Sequence, residues 1–512
     1  MDQGTIAELE ARRAAARALG GEAAIARHHG RGALTARERI DRLLDPGSFR
    51  EIGALARSQH PDLTARTPAD GVVAGWGTVE GRVVYVTSED ATVLAGTRGR
   101  VGDAKVSRVR QLALEHRKPF IALSEAGAAR FQEASGAVAA AIGNRFREHF
   151  ALSGKVPQMA AILGACFGGP SFTAAQSDFV TIARGRGVLG MSGPPVVKAG
   201  IGREVTVDEI GGAAKSIERT GQADHAGESD ADCIDAIRAV LSYFPSNAWE
   251  APPPAPPVPA AADSEEGRAR LTALVPDNHR RGYDMHALLG LLVDGGSYFQ
   301  YRPGYADNLI TAWTRIEGQP VGVLASNPLV LAGALNDRAA IKARKFVEIC
   351  DAFHIPLVFL SDCPGFIVGP DIENQRMVSL AGRLLNSVIA ASVPIVTIVL
   401  RKAIGLAYLA LGGKTMEPDA LVAWPGARFN VMGPAAGVEI IHGKRIAASP
   451  DPDALRADLL RRAEEESSAY RAAEMGLIDD IIAPSETRAV IAGALARARG
   501  RQEYGFKHRI DP

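Results

Sequence analysis

Short apolar runs alternate with longer amphipathic stretches through most of the chain. Residues 82–88, 119–124 and 157–163 are rich in Val, Ile, Leu, Met and Ala over the length of a strand. Residues 341–353, IKARKFVEICDAF, instead repeat at the helical period. Ile341, Lys345, Phe346, Ile349 and Phe353 form a mostly apolar stripe, and Asp337 stands ahead of it as an N-cap. The alternation predicts layered α/β units in which strand ends meet helix starts.

The pattern occurs twice in one register. TVEGRVVYVTS (78–88) is similar to RIEGQPVGVLAS (315–326), HRKPFIALSEAG (116–127) to FHIPLVFLSDCPG (353–365), and GKVPQMAAILGACFGG (154–169) to ASVPIVTIVLRKAIGL (391–406). Gly81 and Gly318, Gly96 and Gly333, Pro119 and Pro356, Ser124 and Ser361, Pro157 and Pro394, and Gly168 and Gly405 are all 237 residues apart. Six landmarks at one spacing indicate an internal duplication, and so long a period means two homologous domains, not a solenoid. APPPAPPVPAAA (251–262) lies between the copies, and its proline density predicts an extended, semi-rigid spacer. The expected division is 1–250, a linker over 251–265, and 266–512.

Composition narrows the function classes. Lys plus Arg equals Asp plus Glu, 58 against 58, which argues against whole-surface attraction to nucleic acid or an anionic membrane. The four cysteines form no CxxC pair, so neither a disulfide framework nor structural zinc is expected, and the cytoplasm is the natural compartment. The N-terminal stretch is charged and alanine-rich, reading as a surface helix and not a signal peptide. No run of about 18 apolar residues suggests a membrane span.

Familiar catalytic motifs are missing: GxSxG, GxxxxGK[ST] and HExxH do not occur. Cys166 adjoins a glycine pair, but a small buried hydrophobe at a strand end is the simpler reading. Asp479–Asp480 reads as a solvated helix end. What the chain does carry is a glycine break after an apolar run, GACFGGPSF (164–172), and its counterpart RKAIGLAYL (401–409). Such a break presents backbone N–H groups at a helix start and lets a ligand approach them. Two copies suggest two oxyanion holes for two carbonyl oxygens.

At these residues the chain resembles the carboxyltransferase (β) subunits of biotin-dependent acyl-CoA carboxylases, the propionyl-CoA and acetyl-CoA carboxylase group. GALTARERIDRLLDPGSF (32–49), ARFQEASG (129–136), EIGGA (209–213) and LSYFPSN (241–247) carry the likeness in the first half. ICDAFHIPLVFLSDCPGF (349–366), AWPGARFNVMG (423–433) and AAEMGLIDDIIAPSETR (472–488) carry it in the second. The resemblance implies two tandem crotonase-like β/α superhelical domains and a hexamer built as a trimer of dimers. It implies active sites at dimer interfaces, an acyl-CoA thioester bound mainly by the first half, and carboxybiotin bound mainly by the second. Biotin would arrive on a separate carrier protein, with the biotin carboxylase and biotin carboxyl carrier α subunit as partner. No side-chain base is implied: carboxybiotin would release CO2 and take the α-proton of the thioester. Gly168 and Gly169 would then cradle the thioester oxygen, and Gly405, Leu406 and Ala407 the biotin ureido oxygen. Ala128, Ala129, Arg130, Phe167, Tyr408 and Leu409 would line the acyl-CoA side, and Gly365 and Phe366 the biotin side. No metal is implied.

The chain departs from the family pattern at several of these positions. Pro170 follows the first glycine pair, Leu406 replaces a glycine, EAGAAR (125–130) stands for Asp-Ser-Gly-Gly-Ala-Arg, Ser216 replaces a His, and Leu409 replaces an Asp that influences acyl choice. Arg98, Arg100, Lys105 and Lys342 are candidates for CoA phosphates, although isolated charges more often lie solvated on helices. A malonyl-type decarboxylase on the same fold, or a weakly active scaffold, stays open beside the carboxyltransferase reading.

Overall fold

The computed structural model describes residues 3–141 and 144–512. Contacts divide the chain into two compact units: one runs to Ala251 and includes Gly505–Pro512, and the other is Pro252–Tyr504. The proline-rich stretch therefore belongs to the second unit and is no free spacer. Arg315 Nη1 donates to the Pro253 carbonyl (2.9 Å) and the Ala255 N–H to the Gly318 carbonyl (2.9 Å), so unpaired backbone of the stretch finds partners on a hairpin.

The first unit contains β1 (Arg50–Glu51), β2 (Val72–Val79), β3 (Arg82–Glu89), β4 (Phe120–Ala126), β5 (Gln158–Phe167), β6 (Phe179–Ala183), β7 (Val188–Gly190) and β8 (His225–Gly227). They form one sheet in the order β1-β2-β3-β4-β5-β6-β8, with β7 on the far half of β5. The second unit contains β9 (Phe299–Tyr301), β10 (Leu309–Ile316), β11 (Gln319–Ser326), β12 (Leu357–Cys363), β13 (Ile395–Ile404), β14 (Ala420–Ala423), β15 (Arg428–Asn430) and β16 (Asp480–Ile481). Its order, β9-β10-β11-β12-β13-β14-β16 with β15 on β13, repeats the first. The first three strands of each sheet pair antiparallel and the rest parallel. Parallel neighbours follow chain order, so each crossover advances the winding by one strand. This is the tandem crotonase-like superhelix expected from the sequence. Every boundary of β2, β3, β4 and β5 recurs 237 residues later in β10, β11, β12 and β13.

β4 and β12 are buried almost throughout, which is why they read as continuous apolar runs without alternation. The β2–β3 and β10–β11 hairpins turn at Glu80–Gly81 and Glu317–Gly318, all four residues at positive φ. One carboxylate secures each turn: Asp45 accepts from both N–H groups of the first, and Asp294 from both of the second. Aspartates also clamp the starts of the parallel ladders. Asp178 exchanges hydrogen bonds with the backbone of Gln158, Asp224 with Val180, Asp419 with Ile395 and Asp479 with Leu421, each within 2.7–2.9 Å. Asp479 is thus a strand clamp and Asp480 opens β16, in place of the solvated helix end expected.

The helix Asp337–Ala352 is capped by Asn336, whose side chain accepts the Ala339 N–H at 2.9 Å; Asp337 is its first helical residue. Phe346, Ile349 and Phe353 are fully buried and Lys345 is buried, while Ile341 is exposed. Lys105 and its repeat mate Lys342 are also buried, not solvated. Lys342 Nζ donates to the carbonyls of Tyr305 (2.8 Å) and Leu309 (2.9 Å), and Lys105 Nζ to those of Ala69 and Val72. Neither faces outward to meet a phosphate.

Candidate functional site

In each unit two backbone turns lie at the carboxyl ends of adjacent parallel strands. The turn after β4 places Ala128 at φ 74°, and the matching turn after β12 places Gly365 at φ 133°. Both are held by one bridge. The Arg98 N–H donates to the Ala128 carbonyl (3.1 Å) and the Arg130 N–H to the Arg98 carbonyl (2.7 Å). In the second unit the Leu335 N–H donates to Gly365 (3.0 Å) and the Ile367 N–H to Leu335 (2.9 Å). A parallel bridge uses the residues flanking its centre, so the N–H groups of Ala129 and Phe366 point to the opposite side. They have no acceptor among the described residues.

The second turn follows β5 at Gly168 (φ 64°) and β13 at Gly405 (φ 65°). Positive φ here requires the missing side chain, since an L-residue would be strained. A helix then begins, Gly169–Ala175 in the first unit and Gly405–Ala410 in the second. The Gly168 N–H is already used, donating to the Met191 carbonyl at 3.1 Å. The expectation that Gly168 supplies a donor is corrected on that ground. Gly169 retains an N–H with no acceptor among the described residues, as does Leu406 at its repeat position. Pro170 has no N–H where Ala407 has one.

The two turns touch. A Cβ on Gly168 would lie 3.4 Å from the Cβ of Ala128. Arg145 packs on the other side, with its guanidinium against the Cα of Gly169, where any Cβ would collide with it. Ala129 and Gly169 therefore supply the open N–H pair of the first unit, and Phe366 and Leu406 that of the second.

Buried ion pairs anchor the strand ends that carry these turns. Glu125 meets Arg39 Nη2 at 2.6 Å, and Arg39 Nε meets Asp230 at 2.8 Å. Its repeat mate Asp362 takes Nε (2.9 Å) and Nη2 (2.8 Å) of Arg401, whose Nη1 also reaches the carbonyls of Pro276, Asn278 and Arg281. Arg401 occupies the repeat position of Gly164, where a side chain would collide with Glu125. One unit draws its guanidinium from the neighbouring strand and the other from an N-terminal helix. Each thereby neutralises a buried carboxylate that would be costly alone. Arg39 and Arg401 were not singled out by sequence reasoning; only the 237-residue match of Glu125 with Asp362 could have pointed to them.

Several expected contacts are reassigned. Arg130 is buried and braces the chain, donating from Nη1 to Asp70 (2.5 Å) and Glu133 (2.8 Å) and from Nη2 to the Thr97 carbonyl (3.0 Å). Tyr408 stacks edge-on against Phe429, and its hydroxyl accepts the Lys414 N–H at 3.3 Å; burial pushes its phenol up to about 12. Phe167 and Leu409 are half-buried, and the Phe167 ring lies beside Gly190 and Gly193. Cys166 is fully buried, and burial pushes its thiol far above the ordinary range, so it is no nucleophile. Arg98 is buried against Glu89, whereas Arg100 is exposed.

The carboxyl transferase domain family matches residues 27–510. The chain is 38% identical to the propionyl-CoA carboxylase beta chain of Roseobacter denitrificans over 497 residues, 96% of each chain. It is 36% identical to the methylmalonyl-CoA decarboxylase subunit alpha of Veillonella parvula, covering 97% of this chain and 96% of that one. Among solved structures, a transcarboxylase 12S hexamer with methylmalonyl-coenzyme A and methylmalonic acid bound superposes with a TM-score of 0.93. It is 36% identical, over 100% of this chain and 98% of that one.

Proposed function

The chain belongs to the carboxyl transferase domain family, and from that membership we propose that it is the carboxyltransferase subunit of a biotin-dependent acyl-CoA carboxylase. The observation that carries this reading beyond membership is the duplicated pair of open backbone donors, Ala129 with Gly169 and Phe366 with Leu406. A carboxyl transfer between an acyl thioester and biotin has two oxygens on which negative charge builds, and each needs fixed donors.

The first pair takes the thioester oxygen. Withdrawing the α-proton moves charge onto that oxygen, and two N–H groups already oriented by the bridges cost no reorganisation as it builds. Gly168 contributes its conformation, and Ala128 keeps Ala129 turned outward. The second pair fits the ureido oxygen of biotin, since its N–H groups are unspent in this chain; Gly405 and Gly365 set the turns and Ala407 stands beside them. Carboxybiotin, when bound, supplies the carboxyl group and accepts the proton. No carboxylate, imidazole or thiol of the chain is asked to move a proton.

Biotin arrives on a separate α subunit carrying the biotin carboxylase and carrier functions, and the chain assembles as a hexamer of the kind described for transcarboxylase 12S. Among the described residues no helix is long and apolar enough to cross a membrane. Four buried free thiols favour a reducing compartment, the cytoplasm.

The test uses the purified chain with malonyl-CoA, methylmalonyl-CoA or ethylmalonyl-CoA, with and without free biotin, following loss of the carboxylate. Biotin-dependent loss is expected. Loss without biotin would replace the reading with a decarboxylase, and no loss from any of the three thioesters would point to a thioester of another acyl group or to a scaffold.

A further inference from the structure

Beside the first pair of donors lies a cavity of about 390 Å³ whose wall includes Ala129, Arg98 and Arg145. Arg100, Arg108 and Arg110 also line it, against the carboxylates of Asp103, Glu133 and Glu148. Glu89 stands behind Arg98 and pairs with it, Arg145 Nη2 meets Asp103 at 2.8 Å, and Arg110 meets Glu148. Five guanidiniums thus line the cavity with three carboxylates, while Glu89 stands behind Arg98 and Glu115 beside Arg108 at 3.8 Å. Arg98 is only 3% exposed; its Nε has no hydrogen-bond partner, and its Nη1 has the Asp103 carboxylate at 3.6 Å, beyond hydrogen-bond distance. Burial, and then the neighbouring Arg98, push the Arg110 guanidinium down to about 10 and Arg145 down as well, as expected of cations crowded together.

The fold does not require this cluster. At the matching positions, 237 residues on, the second unit has Leu335 for Arg98, Ala340 for Asp103, Val347 for Arg110, Gly382 for Arg145, Leu385 for Glu148 and Ser326 for Glu89. The same backbone bridge forms there, Leu335 to Phe366, with Leu335, Ala340 and Val347 buried. Charge has been placed in the first unit where apolar residues suffice, at a desolvation cost. Buried donors left unmade are costly unless a ligand completes them.

We propose that the acyl group of the thioester carries a distal carboxylate, held in this cavity by Arg98 and Arg145. The inference rests on the carboxyltransferase reading and narrows its substrate to dicarboxylic acyl-CoA. Arg145 packs on Gly169, and Ala129 forms part of the cavity wall, so the cavity opens where the thioester oxygen sits. Guanidinium forks match a planar carboxylate, which suits the choice of Arg over Lys.

The test is a binding titration of the full chain with glutaryl-CoA, with pentanoyl-CoA, which replaces the carboxylate by a methyl, and with free CoA. At least tenfold tighter binding of glutaryl-CoA than pentanoyl-CoA is expected. Arg145→Met should erase that ratio. So should the double change Arg98→Leu with Glu89→Ser, which copies the second unit and leaves no buried carboxylate stranded. Equal binding of the two thioesters, or preference for pentanoyl-CoA, overturns the inference and leaves the carboxyltransferase reading standing. An equal loss of free CoA affinity in Arg145→Met assigns the guanidinium to the phosphates and also overturns it. Binding of no CoA species overturns the functional reading and the inference together.

Discussion

Gly169 tests the donor argument most directly, because one substitution removes its N–H and another does not. Gly169→Pro and Gly169→Ala both place carbon against the flexible end of Arg145, but only proline deletes the donor. Gly169→Pro is expected to lower biotin-dependent decarboxylation of methylmalonyl-CoA about 10²–10³-fold relative to Gly169→Ala. Steady-state rates of the two variants decide it, and equal rates would remove Gly169 from the site. At this scale the sequence was partly legible. Adjacent glycines marked where backbone matters, but not which amide was free. The Met191 carbonyl that takes the Gly168 N–H comes from another strand end, and no local pattern reveals a partner that distant in sequence.

The element scale shows what a helix stripe conceals. Lys342 falls at a buried position of Asp337–Ala352, where its amine serves two carbonyls and burial pulls it down to about 7, with Asp307 opposing and Arg302 assisting. A neutral amine has two N–H donors, which match the two acceptors. Between about pH 7 and the unfolded value of about 10.4, the unfolded chain binds more protons than the folded one, so stability rises with pH through that window. Wild type should therefore gain about 1–2 kcal/mol over Lys342→Met between pH 7 and 8.5. Urea unfolding of both proteins at the two pH values measures this, and an unchanged difference would show that Lys342 keeps an ordinary pKa. Periodicity located the helix correctly. It could not separate Lys342 from a solvated lysine, because the carbonyls it reaches belong to the segment leading into β10.

At the scale of the whole molecule, the chain end belongs to the first unit. Ser153 Oγ accepts the Ile510 N–H at 2.9 Å, Arg509 Nη1 donates to the Phe150 carbonyl at 2.6 Å, and the Arg509 guanidinium lies 4.0 Å from the Phe150 ring centre. Deleting residues 505–512 is expected to speed amide hydrogen exchange in residues 146–156 while leaving β10–β13 protected. Exchange read by mass spectrometry over both regions tests this, and unchanged exchange at 146–156 would make the tail a passive end. The duplication itself was plain from six landmarks at one spacing, since a repeated fold repeats its glycine turns and strand starts. Covalent order alone therefore determined the repeat, the strand–helix alternation and the family, all of which depend on local propensity or motif order. Only the tertiary structure decided which amides stay open, that Arg130 braces the chain, and that Arg98 and Arg145 share one cavity wall. Each of these depends on atoms that are far apart in sequence and brought together by packing.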